Sequence, residues 1–488
     1  MTKIFFRALL AGLAFLVLLV ALNRFDKRVA PAAFGDGDLP PSSLEAANGA
    51  FWLLFLGEPE SAGLDIERKV PEYRDLLGRL ERVERLTWQV APRSRSLGGR
   101  YWQMISDIPF PQPPDRDWPG FLRAERDHLS RLRVELPILL RRYERMTRCE
   151  TVADFGYRVE WDRPYALQSF VLATGRLRAA LAVLDAEDGR WAHAAEELLT
   201  AFRFGERLAG AAQSAFFYNL GRALVDTALE ALAGLLSLPG CPPEVAGSLL
   251  AGLPPLSPAQ FSARAALVGE FLWASERIER GDRWLQSEIA LREIVPGRRG
   301  DQARMALNVL LARELGTGSY LRLREAAFEL FLMKNRTRGY FRDGLRRLLA
   351  LDASPPFRWG ASGEGAPSFK GLNLWWLWNP SGKLYYEGLD PFRQRRTVER
   401  KYLTRAFYDL VRMAAALRLP GGGAKTYGAD APGKWPEGLS PEGAREARDP
   451  FTGRPYGWDP ARGLLWSAGL DGKNDRGDPE RDLVLSVR

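Results

Sequence analysis

The residues whose types and spacing could do chemistry lie close to the C-terminus, in the segment LDGKNDRGDPERD. Between Asp471 and Asp482 it contains five acidic side chains, two glycines and a proline. Calcium takes roughly six to eight oxygens from carboxylates and main-chain carbonyls on a sharply turning loop, and this composition supplies both. The spacing is not that of an EF-hand, because Lys473 stands where that motif requires Asp or Asn. From the residues alone, the segment is either a cation site or a solvated acidic turn.

The segments around this loop follow a characteristic order. A helical run, AFYDLVRMAAALRL, precedes GKWPEGL, then DPFTGRPYGWD, then LLWSAGLDGKNDRGDPERDLVL. This order resembles the globular domain of the major pseudopilins of bacterial type II secretion, and the likeness covers residues 393–488. It implies a small α+β domain and a structural Ca²⁺ in the closing loop. By position, the implied ligands are Asp471 and Asp482 with nearby main-chain oxygens, and less directly Asp475 and Asp478.

The chain also departs from the pseudopilin pattern. Its apolar N-terminal segment lies far upstream of residue 393 and carries no prepilin cleavage signal, so assembly into a pilus is not implied. As a whole, the chain resembles anchored, exported bacterial envelope proteins that end in this same tail. That resemblance brings no activity with it.

We expect the other candidate catalytic residues to have structural roles. The chain has only two histidines, His128 and His193, which cannot build a multi-histidine zinc site, and we expect both to be structural. Glu270, Glu276 and Glu279 could serve a glycan hydrolase, with Trp273 and Trp284 nearby. Arginines alternate with these carboxylates, however, which is typical of a solvated helix face with ion pairs.

An aromatic run, NLWWLWNPSGKLYY, stands in a Gly- and Pro-rich stretch. Its side chains could stack on sugars or rest at a membrane interface, but we expect them to fill the seam between two structural regions. They are Trp375, Trp376, Trp378, Tyr385 and Tyr386.

The elements that must position these residues are mainly helical. Apolar residues recur at helical spacing from residue 164 onward, and a break at EDG separates two amphipathic runs, as in a tetratricopeptide-like hairpin. No strict period follows, so we predict an irregular helical array. Eight arginines between Arg123 and Arg148 indicate either a solvated face or a surface for anionic lipid. Short strand-like pieces with turn signals follow residue 448, and the predicted fold is therefore mainly α with a small C-terminal α+β domain.

The N-terminus predicts a membrane anchor. Ala8 to Leu22 is an uninterrupted apolar run, and with Ile4 to Phe6 it reaches roughly 28 Å, close to the hydrocarbon thickness of a bilayer. No cleavage site follows directly, which favours an uncleaved signal anchor over a cleaved signal peptide. Cys149 and Cys241 are either one disulfide in an oxidising compartment or two unrelated thiols.

These patterns divide the chain into six predicted regions. They are a signal anchor at 1–28, a linker at 29–48, a helical region with a Pro-rich loop at 49–160, the helical array at 161–351, a Gly-, Pro- and Trp-rich connector at 352–392, and the pseudopilin-like domain at 393–488.

Together these features predict a non-enzymatic scaffold or adaptor in a bacterial envelope assembly, with protein partners connected to secretion. Its body would lie on the periplasmic side of the inner membrane, attached by a single span. The net charge of +9 is spread along the chain, which excludes the concentrated basic surface of a nucleic-acid-binding protein. The alternative function is an envelope glycan-binding protein or a cell-wall glycan hydrolase. Apart from calcium, no cofactor is expected.

Overall fold

The computed structural model confirms a mainly helical protein with a small antiparallel sheet near the C-terminus. It describes residues 36–41, 104–105, 110–111, 117–154, 156, 164–257, 259–280, 334–359, 391–420 and 448–487. Within these ranges there are nine α-helices and three strands. Trp284 and the aromatic run from Trp375 to Tyr386 lie outside the described residues.

The helices and strands have the following bounds. The helices are α1 (Trp118–Glu135), α2 (Pro137–Arg148), α3 (Pro164–Glu187), α4 (Trp191–Gly210), α5 (Ala215–Ser237), α6 (Pro243–Gly252), α7 (Arg264–Arg280), α8 (Lys334–Ala353) and α9 (Pro391–Leu417). The strands are β1 (Gly457–Asp459), β2 (Leu464–Ser467) and β3 (Leu483–Ser486).

The hairpin of α3 and α4 forms where the EDG break predicts it. The main-chain N–H of Asp188 continues the helical pattern to the carbonyl of Leu184 at 3.0 Å. Gly189 then adopts φ +90°, a conformation that a side chain disfavours, and this residue ends α3. The chain turns within three residues, so α3 and α4 pack side by side.

The core of the array is the contact between α4 and α5. Small residues at this contact allow the two helix backbones to approach closely. A Cβ added to Gly221 would lie 2.5 Å from the main-chain nitrogen of Ala209 and 2.7 Å from the carbonyl oxygen of Gly205. Only glycine leaves room for two backbones at this separation. Around the contact, Leu198, Phe202 and Leu224 are almost fully buried.

A buried polar network connects the start of α7, the end of α8 and the middle of α9. The carboxylate of Asp352 accepts hydrogen bonds from Ser262 Oγ at 2.6 Å, from the main-chain N–H of Ala263 at 3.1 Å and from Lys401 Nζ at 2.8 Å. Lys401 Nζ and Tyr402 Oη also donate to the main-chain carbonyl of Asp352, at 2.6 and 2.8 Å. Lys401 is 1% exposed, so a charged side chain is buried with its partners in place.

The sheet has the strand order β1-β2-β3, and both pairs are antiparallel. Asp449, from the DPFTGRPYGWD segment, is buried beside the sheet and connects the segment before β1 to the end of β2. Its carboxylate accepts from Ser467 Oγ at 3.0 Å and from the main-chain N–H groups of Phe451 and Ala468, both at 2.9 Å. The pattern of short strands in this section is therefore confirmed.

The chain divides into two compact units. One comprises residues 1–37, 270–350 and 361–396, and the other comprises residues 38–269, 351–360 and 397–488. The strands thus belong to the same unit as α1 to α6. Within that unit Tyr456 Oη, just before β1, donates to Asp409 Oδ2 of α9 at 2.9 Å.

The prediction of a membrane span requires a correction. Within the part of the chain that the structure describes, no helix combines the length and the apolar character needed to cross a bilayer. The predicted transmembrane helix and signal anchor are not supported by this finding, and we withdraw them. The segment to which they were assigned, residues 1–28, lies outside the described residues.

The two cysteines are separate thiols. Cys149 is half-buried, Cys241 is buried, and neither forms a disulfide. Burial raises the pKa of each thiol, which makes the reactive thiolate less available.

Candidate functional site

The feature most suited to binding is a groove on the array, between α2 and α4 with α3 at its floor. Its volume is about 460 Å³, within the range typical of ligand sites. We call it the charged groove. It is lined by Tyr143, Glu144, Thr147 and Arg148 of α2, Arg178 of α3, and His193, Glu196, Glu197, Thr200, Ala201, Arg203 and Arg207 of α4.

Helical spacing explains why α4 supplies most of this lining. His193, Glu196, Glu197, Thr200 and Arg203 recur at intervals of three and four residues, and so share one face of the helix. The opposite face of α4 carries the apolar residues that pack in the core, among them Leu198 and Phe202. The core contact therefore fixes the direction in which the charged face points.

Glu197 is the most deeply placed carboxylate of the groove, with its side chain 10% exposed. Its Oε1 accepts from Arg178, and His193 Nε2 lies 3.4 Å from the same oxygen. Its Oε2 is buried and has no hydrogen-bond partner among the described residues. Burial raises the pKa of Glu197, whereas the charges of Arg178 and His193 act in the opposite direction.

The arginines of the groove differ in their partners. Arg148 pairs with Glu144 at 2.8 Å, and Arg203 lies 3.5 Å from Glu196. Arg207 instead donates to the main-chain carbonyls of Thr147, in the last turn of α2, and Glu150, beyond its end, at 3.3 and 3.2 Å. Within the described part of the chain it has no carboxylate within 4.0 Å, and its Nε is buried without a hydrogen-bond partner.

A metal site at the edge of this groove is disfavoured by charge. Asp185, His193 and Glu197 each offer one ligand atom, and these atoms lie within 4.8 Å of one another. The Asp185 carboxylate, however, already accepts from Arg133 at 2.5 Å and from Arg190, while Arg178 holds Glu197. Three guanidinium groups around two carboxylates would repel a divalent cation, so we describe this cluster as an ion-pair network.

The acidic loop predicted to hold calcium is closed largely by its own main chain. Asp482 Oδ2 accepts from the N–H of Gly477 at 2.7 Å, and its Oδ1 accepts from the N–H of Asp475 at 3.4 Å. Asp471 and Asp478 each accept an N–H two residues further on, at 3.0 and 3.1 Å. No three of these four carboxylates come within 4.8 Å of one another in the described structure.

One buried carboxylate oxygen of the loop has no hydrogen-bond partner among the described residues. Asp475 Oδ2 is buried and receives no hydrogen bond from the described residues, while Oδ1 lies 3.6 Å from Arg481. Burial raises the pKa of Asp482, and the negative charges of Asp475 and Asp471 raise it further. A calcium ion at this loop would thus use one or two carboxylates with main-chain carbonyls, rather than four carboxylates together.

Of the carboxylates considered for glycan hydrolysis, Glu279 is held in an ion pair. Glu279 pairs with Arg338 at 2.7 Å, and its main-chain carbonyl accepts from Lys334. The guanidinium of Arg277 lies 4.3 Å from the ring centre of Trp273, which covers a face that a sugar would need.

The arginine-rich region from Arg123 to Arg148 forms interhelical ion pairs. Arg126 of α1 pairs with Glu187, the last residue of α3, and with Asp188, which follows it, at 2.7 and 2.8 Å. Arg133 donates to Asp185 and to the main-chain carbonyl of Leu181. These arginines neutralise acidic residues at a helix C-terminus, where a negative charge is unfavourable.

The charged groove is not among the sites that the sequence predicts. His193 and Glu197 stand four residues apart on a predicted helix, and this spacing is the signal that could have placed both on one face. Comparisons with models of protein families, with curated proteins and with solved structures find no match to this chain.

Proposed function

We propose that this protein is a non-enzymatic scaffold or adaptor whose helical array holds a partner protein at the charged groove. The observation that carries the proposal is the groove itself, about 460 Å³ in volume and lined from three packed helices. Among its lining residues, Glu197 has an Oε2 that is buried and unpartnered within the described structure, a costly arrangement that a bound group would relieve. Side chains fixed on rigid helices favour the recognition of a defined partner.

A place in a bacterial envelope, outside the cytoplasm, and a connection to secretion are parts of this proposal. They rest on the resemblance of residues 393–488 to pseudopilin globular domains, in which a helix precedes short strands and an acidic loop. We propose that β1 to β3 and the preceding α9 are a pseudopilin-like fold. We also propose that the loop from Asp471 to Asp482 binds calcium structurally, supported by the unpartnered Oδ2 of Asp475.

The adaptor function can be tested by photo-crosslinking in cells that make the protein. A photoreactive residue replaces Glu196, which lies at the groove and is 66% exposed. The matched control carries it at Glu244, an exposed position on α6 outside the groove lining. We expect a discrete adduct from position 196 and none from position 244.

A blocking variant makes the crosslinking test specific to the groove. Thr200→Trp adds a bulky side chain to the groove wall, and the adduct from position 196 should then disappear although the protein stays folded. Equal adducts from positions 196 and 244, or an adduct that Thr200→Trp leaves intact, would contradict the adaptor proposal.

A further inference from the structure

We infer that the charged groove recognises an oxyanion, a carboxylate or phosphate group of its ligand, and that Glu197 in its acid form donates a hydrogen bond to it. The inference rests on the proposed function, since it names the chemical group by which the partner would be held. Its evidence is the charge of the lining, the unpartnered atoms in the groove and the neighbours of Glu197.

The lining carries more positive than negative side chains. It contains four arginines and three glutamates, and Arg207 has no carboxylate within 4.0 Å among the described residues. Arg203 is 46% exposed, and its contact with Glu196 is long, at 3.5 Å. A guanidinium binds planar carboxylate and phosphate oxygens through charge-assisted hydrogen bonds, so these two arginines are suited to an oxyanion.

Glu197 must lose its negative charge before an anion can approach it. Its Oε2 is the buried atom without a partner, whereas Arg178 and His193 occupy the side of Oε1. A proton on Oε2 would therefore point away from these contacts and be available to an acceptor in the groove. With that proton, the same atom changes from a group that repels an anion into a hydrogen-bond donor.

The charged groups facing Glu197 come from each neighbouring element. They are Arg178 and Asp185 of α3, Glu144 of α2 and His193 of α4 itself. Arg178 and protonated His193 favour the ionised carboxylate, while Asp185, Glu144 and burial favour the acid. A bound anion would add one more negative charge, so that binding and proton uptake at Glu197 strengthen each other.

The inference is tested with sulfate and formate, two oxyanion probes that stay ionised between about pH 5.5 and 8. Titration calorimetry on the full chain gives their affinities, and buffers of different ionisation heat give the protons taken up. Above the pKa of Glu197, we expect the affinity to fall by up to about tenfold for each pH unit, with close to one proton taken up for each anion. Tighter binding of sulfate would indicate a phosphate ligand, and tighter binding of formate a carboxylate.

Three variants separate the contributions. Glu197→Gln keeps a donor at this position and should bind with an affinity that no longer depends on pH. His193→Gln should keep the pH dependence, because that imidazole is not the proposed donor. Arg203→Gln should weaken binding about tenfold, whereas Arg131→Gln, exposed on α1 outside the groove lining, should not.

The outcomes also separate this inference from the adaptor proposal. If both sulfate and formate failed to bind at about 10 mM and pH 5.5, the oxyanion inference would be overturned. A crosslink from position 196 would still support the adaptor proposal in that case. The proposed role of Glu197 would be overturned if the wild-type affinity were the same at about pH 5.5 and about pH 8. It would also be overturned if the Glu197→Gln variant retained the pH dependence. Melting curves of all variants establish that they are folded.

Discussion

Asp409 is a single carboxyl whose environment predicts a measurable pH effect on stability. Burial raises its pKa from 3.8 to about 6, against the hydrogen bond that Tyr456 donates to it. The folded state therefore binds more protons than the unfolded state between these values, and stability falls as pH rises through this window. Above it, the ionised carboxylate costs about 1–3 kcal/mol, allowing for its partial exposure.

Asp409→Asn removes this cost and keeps an oxygen that can accept from Tyr456. We expect the variant to be more stable than wild type by about 1–3 kcal/mol near pH 7.5 and equally stable near pH 3.5. Urea unfolding at a series of pH values measures the difference. Asp343→Asn, on an exposed part of α8, is the control. A constant difference at all pH values would show that Asp409 does not titrate as described.

Calcium removal tests the acidic loop at the level of one atom. Asp475 Oδ2 has no partner in the described structure, and we expect it to be a calcium ligand. Calcium at 100 times its dissociation constant should then stabilise the protein by about 2.7 kcal/mol relative to chelator. Asp475→Asn should abolish this shift, whereas Asp471→Asn should reduce it. Lys473→Gln, exposed in the same loop, is the control.

The thermal transition with calcium and with chelator gives the answer. Coincident curves for wild type would leave the loop a solvated turn closed by Asp482, and the calcium proposal would be wrong. Asp482 is not a suitable probe, because it caps main-chain N–H groups whether or not an ion binds.

At the scale of elements, the separation of α4 and α5 depends on glycine. In Gly221→Ala the new methyl group would meet main-chain atoms of α4 at 2.5 and 2.7 Å, and a backbone cannot move aside as a side chain can. We expect a loss of stability of about 1–3 kcal/mol or more, measured by chemical denaturation. Gly210→Ala, at the end of α4 with nothing within 4 Å, should change stability by less than about 1 kcal/mol. Equal effects of the two changes would contradict the close packing.

The network around Asp352 predicts strong coupling between α8 and α9. Lys401→Met leaves a buried carboxylate without its cation and should cost about 3–5 kcal/mol. Asp352→Asn keeps acceptors for Ser262 and Ala263 but removes the charge that compensates Lys401. The double variant should lose less than the sum of the two single losses, by at least about 1 kcal/mol, in a double-mutant cycle followed by denaturation. Additive losses would mean that the two charges do not interact.

At the scale of the whole molecule, local patterns predicted the elements well. The helical periodicity, the EDG break between α3 and α4 and the short strands after residue 448 all appear in the structure. Each depends on neighbours close in sequence, such as the left-handed Gly189 that ends α3. The anchor prediction, by contrast, rested on apolar length and on the lack of a cleavage site, and no described helix supports it.

The charged groove could not be predicted in the same way, because its lining comes from three helices. Arg178 and Glu197 are nineteen residues apart and meet only because the hairpin folds α3 onto α4. The interleaved charges of α2 looked like a solvated face, yet Arg142 is 4% exposed and Tyr143 is 3% exposed. Which charges remain unpaired depends on distances that a sequence pattern does not contain, and this decides where a ligand binds.

The packing of the strands against the array predicts that both unfold together. Tyr456, 3% exposed, donates to Asp409 of α9, and on the same helix the buried ring of Tyr408 lies 5.6 Å from the ring of Phe202 of α4 in the array. These buried contacts lie within one compact unit, so breaking the sheet alone would expose apolar surface on both sides. Hydrogen exchange at increasing denaturant should therefore give the same opening free energy for amides of β2 and of α5. If β2 instead exchanged at clearly lower denaturant, the strands would unfold independently of the array. They would then behave as the separate domain that the pseudopilin resemblance implies.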